Sequence, residues 1–157
     1  MLKSFCKLNL LLIFFLIFSS ILRAEVINKI NVEGNKRISS QTIEMFSGVS
    51  INDNVTEVDL NNILKRLYNT NFFDLVSVKV FNETLIIKVK ENPIIQNISY
   101  EGIKSSKILE DLKKSSILKS RSSFNKVLLE KDKKKIKNFF KDLGYYFSKI
   151  EISIDEL

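Results

Sequence analysis

A chain of 157 residues holds one ordinary domain or two very small ones, which excludes a large two-lobed enzyme. Its make-up, 45% hydrophobic and 27% charged, is that of a folded protein and not of a disordered tail or a fibrous repeat. There is no His, one Cys (Cys6), four glycines and one proline, so imidazole catalysis, His/Cys zinc sites and Gly-rich phosphate loops are excluded together.

The first segment reads as an address. Lys3 and Lys7 precede a run from Leu8 to Phe18 that is apolar except for Asn9, and Ala24 supplies a small residue before Glu25. That pattern predicts a secretory signal peptide over residues 1–24, although Leu22 is bulky for its place before the cut. Stretched to Leu22 the run is 15 residues, short of the roughly 20 needed to span a bilayer, and Arg23 closes it. A retained anchor is the alternative. Cleavage removes Cys6, so the remainder has no thiol nucleophile and no disulfide and must rest on core packing. Its net charge falls from +7 to +4, with residues 25–92 at −1 and 93–157 at +5. A mild basic excess in an exported chain gives no reason to expect nucleic acid.

The rest reads as one unit twice. Ile30-Asn31-Val32-Glu33-Gly34 recurs as Ile98-Ser99-Tyr100-Glu101-Gly102, and Asn71-Phe72-Phe73 is echoed by Gly144-Tyr145-Tyr146. In the first unit Ile30 and Val32 alternate with polar neighbours as in a half-buried strand. Ser39 or Ser40 can cap a short helix carrying Ile43 and Phe46. Thr56-Glu57-Val58-Asp59 resembles a capping box ahead of a helix whose Leu60, Ile63, Leu64, Leu67 and Tyr68 form one stripe. Val76, Val78 and Val80, a turn at Asn82-Glu83, then Leu85, Ile87 and Val89 predict a hairpin.

The second unit offers a strand at 94–101, helices around Leu109 and Phe139, and a strand with Ile150, Ile152 and Ile154. The expected fold is α+β: two tandem β-α-α-β-β domains, each a three-stranded sheet with two helices on one face. They occupy 25–92 and 93–157, and the second lacks its last strand, so the chain reads as a fragment. Glu91-Asn92-Pro93 leaves almost no linker and is the expected interdomain hinge, with Pro93 holding Asn92 extended.

Ile-x-Val-x-Gly-Asn-x-Arg-Ile at 30–38, Leu-Tyr-x-Thr-x-Phe-Phe at 67–73 and Val-x-Glu-Asn-Pro-Ile-Ile at 89–95 resemble the POTRA domains of the Omp85 family of outer-membrane assembly proteins. The resemblance runs from Ile27 to Ile154. Asn71 stands where Gly is usual, Ile103 stands where Asn follows Gly in the first copy, and the family's later POTRA domains and C-terminal β-barrel are not in this chain. The resemblance implies an exported, non-enzymatic arm on the periplasmic face of the outer membrane of a Gram-negative type cell. It would belong to a machine that folds and inserts β-barrel proteins. The implied partners are unfolded outer-membrane protein precursors, periplasmic chaperones and accessory lipoproteins, with membrane contact through the absent barrel, and no nucleic acid, cofactor or metal. A two-partner secretion arm and a membrane-anchored cell-division POTRA protein are the sister readings. A small secreted enzyme is the rival class, and no carboxylate pair has a spacing that compels it.

A small sheet leaves edge strands whose free N–H and C=O groups can pair with an extended client. Under this reading the client-binding edge is Val76, Val78, Val80 and Phe81, with Phe81 offering an apolar contact on the wet face. The plainer reading makes Phe81 and Ile86 a surface pair across the hairpin. Asp53, Glu57 and Asp59 could hold Ca²⁺, but Glu57 and Asp59 suit the first turn of a helix better. Lys131, Lys133, Lys134, Lys135 and Lys137 suit a solvated helix face, with anionic lipid or an acidic partner as the alternative. Three Asn-x-Ser/Thr triplets and the terminal Ile-Asp-Glu-Leu are read as coincidences.

Overall fold

The computed structural model describes residues 24–156, so the expected signal peptide and the anchor alternative lie outside the described residues. Among the described residues no helix is long and apolar enough to cross a membrane.

In chain order the first repeat forms β1 (Glu25–Val26), β2 (Lys29–Glu33), α1 (Ser40–Ser47), β3 (Asn54–Val55), α2 (Glu57–Asn69), β4 (Phe73–Phe81) and β5 (Thr84–Glu91). Ser39 caps α1, its side chain accepting from the Thr42 N–H, and Gly48 ends it in the left-handed region. At α2 the Thr56 side chain takes the Asp59 N–H while the Asp59 carboxylate takes the Thr56 N–H, so the capping box forms with Asp in place of Glu.

The three-stranded sheet has the order β2-β5-β4, with β5 parallel to β2 and antiparallel to β4. Its centre is therefore the last strand in the chain. Leu85, Ile87 and Val89 of β5 are buried against Ile43, Ile63, Leu67 and Phe73, while Ile30 and Val32 of β2 and Val76, Val78 and Val80 of β4 flank this core half-buried. Helices α1 and α2 cover one face, and the alternate residues of every strand face water. β1 pairs with β3 in a separate two-stranded ribbon that seats Ile27 in the core.

The second repeat supplies α3 (Ser106–Ser115) and α4 (Lys126–Asp142), and buries Leu112 of α3 and Leu118 of the loop that follows it. The strands expected at 94–101 and around 150–154 are not formed. A lone bridge joins Ile94 to Ser123, and Ile152 and Ile154 are exposed. The first repeat shows why. There β2 and β4 never touch each other, and each is held only through β5. Among the described residues of the second repeat no strand lies between the segments at 94–101 and 150–154 to hold them in that way. The echo noted in the sequence survives in the backbone: Gly34 and Gly102 both take positive φ (+85° and +78°), as do Asn71 and Gly144 (+60° and +89°). Asn replaces Gly at 71 because it tolerates this region better than other side chains.

Candidate functional site: a free sheet edge and a clamped junction

Among the described residues β4 pairs with β5 and with no other strand, so it forms one edge of the sheet, as β2 forms the other. Asn82 and Glu83 both have positive φ (+48° and +58°), the conformation of a two-residue type I′ hairpin. The Glu83 strain is offset by its carbonyl, which accepts the Asn28 N–H at 2.8 Å, and its carboxylate, which accepts from Asn28 Nδ2 at 2.5 Å.

The tight loop fixes which backbone groups are free. In such a hairpin Phe81 and Thr84 form the closing hydrogen-bonded pair. Bonded pairs alternate along an antiparallel ladder, so Lys79–Ile86 and Ser77–Lys88 are bonded too. Val76, Val78 and Val80 then turn their N–H and C=O groups away from β5. The Val76 N–H accordingly finds its partner elsewhere, donating to the Tyr68 hydroxyl at 3.1 Å.

The four candidate edge residues thus divide. Val76, Val78 and Val80 keep their side chains in the core and present backbone to the edge. Phe81 spends its backbone on the hairpin and presents only its ring, 62% exposed. Its cross-strand partner is Thr84, which leaves Ile86 a diagonal neighbour. The same wet face carries Lys79 and, towards the other end of the hairpin, Lys88, Leu75 and Lys90. Lys88 pairs with Glu33 at 2.9 Å and Lys90 with Asp74 at 2.7 Å, and these hydrogen bonds hold both carboxyls below their ordinary range. Asp74 is the extra residue of a β-bulge between Phe73 and Leu75.

The junction residues are held from both sides. The Glu91 carboxylate accepts the N–H groups of Lys36, Arg37 and Ile38 at 2.8, 2.9 and 3.0 Å, and Arg37 Nε at 3.2 Å. Three successive amides curl around one anion, a nest formed by the loop that leaves β2 at Gly34. Asn92 is buried, donating its N–H to Phe72 O at 2.8 Å and its side-chain amide to Asn71 O at 2.9 Å. Pro93 O instead accepts the Phe124 N–H at 2.7 Å, tying it to the second repeat. The chain is thus fastened on either side of the Asn92–Pro93 peptide. Sequence reasoning missed this clamp. Its signal was a lone carboxylate two residues before the only proline, far in sequence from Gly34-Asn35-Lys36-Arg37.

The remaining candidates resolve locally. Asp53 accepts the Ser50 N–H, Asp59 belongs to the capping box, and among the described residues no cluster of His, Cys, Asp or Glu stands ready for a metal. The α4 lysines project outward. Asp132 turns inward between them and accepts the Ile117 and Leu118 N–H groups at 2.8 and 3.1 Å, pinning the loop after α3.

Similarity to known proteins agrees with this architecture. The chain is 27% identical over 141 residues to the outer membrane protein assembly factor BamA of Buchnera aphidicola subsp. Acyrthosiphon pisum, covering 87% of this chain and 23% of that protein. It is 29% identical over 120 residues to BamA of Neorickettsia risticii, covering 76% of this chain and 14% of that protein. The chain therefore spans less than a quarter of the length of these relatives. Its fold matches the N-terminal domain of Omp85 from Thermosynechococcus elongatus with a TM-score of 0.54 at 18% identity, over 77% of this chain and 53% of that one. The POTRA family (surface antigen variable number repeat) matches residues 25–92 and again 93–157, and the chain belongs to it.

Proposed function

We propose that this chain is the periplasmic arm of an outer-membrane protein assembly factor, and that it receives unfolded β-barrel precursors as added strands along β4. The observation that carries the reading is the unpaired backbone of Val78 and Val80 on an edge strand closed by a two-residue hairpin. Main-chain pairing is nearly blind to sequence, which suits a receptor for many clients whose own structure is β. The relatives named as assembly factors support the assignment, and so does the two-repeat fold.

In this reading residues 1–24 are the export signal, 25–92 and 93–157 are the two domains, and the arm has no catalytic role. Glu91, Asn92 and Pro93 act as the articulation. Asn92 is tied to the first repeat and Pro93 to the second, which supports an articulation at the joint between them, beside the Asn125 Nδ2–Asn71 Oδ1 contact of 3.5 Å. Chaperones and accessory lipoproteins are the expected further partners.

A photoreactive residue placed at Lys79, beside the edge, tests this in cells making outer-membrane proteins. Irradiation should capture unassembled barrel precursors several-fold more than the same probe at Glu57, at the exposed start of α2. Equal capture at both positions contradicts the assignment of β4.

A further inference from the structure

We propose that the Tyr68 hydroxyl closes one end of the β4 edge and so sets where an added strand pairs; this rests on the reading of β4 as the receiving edge. Tyr68 is the last member of the apolar stripe on α2, a position that predicts burial, yet the residue is 42% exposed. Its hydroxyl instead reaches past the helix to the Val76 N–H at 3.1 Å. That N–H is the first outward-facing donor after the Asp74 bulge, which itself bends the edge. Bulge and hydroxyl thus occupy the same end of the strand.

What stays open is the hairpin end, with the backbone groups of Val78 and Val80. A strand added there places its neighbouring side chains beside Lys79 and Phe81 on the wet face. Lys79 has no ion-pair partner among the described residues, and the Phe81 ring is largely bare. The occupant that fits is a short extended segment with an acidic residue beside Lys79 and an apolar residue two positions away beside Phe81. Such a segment gains two outward donors from β4 in the wild-type chain. Removing the Tyr68 oxygen adds a third.

The Tyr68→Phe variant keeps the ring and deletes the hydroxyl. The test follows backbone amides of the full chain by NMR hydrogen exchange, alone and with a ten-residue extended peptide carrying Asp and Leu two residues apart. Without peptide, the Val76 amide should exchange at least tenfold more slowly than those of Val78 and Val80, and Y68F should remove the difference. With peptide, protection should appear at Val78 and Val80 in the wild type, spread to Val76 in Y68F, and bring several-fold tighter binding. An identical protection pattern in both proteins overturns the role of Tyr68 while leaving the edge reading standing. No peptide protection on β4 in either protein overturns the edge reading, and the inference with it.

Discussion

Replacing Glu91 by Gln is expected to destabilise the chain by about 3 kcal/mol at neutral pH, with the loss shrinking in acid. The Glu91 side chain is only 9% exposed. Burial alone raises a carboxyl pKa, but the backbone N–H groups of Ile38, Lys36 and Arg37, followed by the Arg37 side chain, outweigh it and bring Glu91 down from 4.5 to about 2. A folded-state value below the unfolded one means that the stabilisation is complete above about pH 4.5 and is lost as pH falls through about 2. Hydrogen bonds to an ionised acceptor are roughly twice as strong as neutral ones, and Gln brings an NH₂ group towards donors that need an acceptor. Urea denaturation of Glu91→Gln and wild type at pH 7 and pH 2.5 checks this. A gap of equal size at both pH values would show that ionisation of Glu91 is not what closes the clamp.

Gly34→Ala is expected to cost roughly 3 kcal/mol or more, placing it among the severe single substitutions. A Cβ at Gly34 would lie 2.2 Å from Val89 O, a backbone atom of the central strand that has no rotamer to move. The residue also sits at φ +85°, where a side chain adds strain. The loop that Gly34 opens is the one whose amides enclose Glu91, so the same substitution disturbs both the β2–β5 pairing and the nest. Gly102 is the control from the second repeat. It has φ +78° but nothing within 4 Å of its added Cβ, so Gly102→Ala should cost only the backbone term of about 1–2 kcal/mol. Equal losses in the two variants would mean that the contact with Val89 O does not govern the exit from β2.

The elements of the first repeat were legible because each had a local cause. Alternation marked Ile30–Val32, Val76–Val80 and Leu85–Val89, the Thr56–Asp59 box marked the start of α2, and two residues left only a tight turn at Asn82–Glu83. Those signals do not carry sheet order. That β5 lies between β2 and β4 follows from how the helices cross over, and it decides two features hidden in the sequence. It buries β5 more deeply than either neighbour, and it makes β2 and β4 the two edges of the sheet.

The candidate edge was legible as a strand and illegible as an edge. Side-chain alternation places Val76, Val78 and Val80 on the core face but does not say that their backbone groups point outward. The hairpin register says that, and it separates them from Phe81. The Glu91 nest and the Tyr68–Val76 contact were invisible for another reason. Both join backbone N–H groups to a side chain by tertiary approach, and backbone donors leave no mark in composition or period.

The central claim, that the outward N–H groups of β4 receive an incoming strand, is tested most directly by Val78→Pro. Proline removes an N–H that no ladder bond uses, and edge strands tolerate it on that side, so circular dichroism should show the fold retained. The account predicts that capture of barrel precursors by the probe at Lys79 then falls at least tenfold. Undiminished capture by a folded Val78→Pro chain would contradict it.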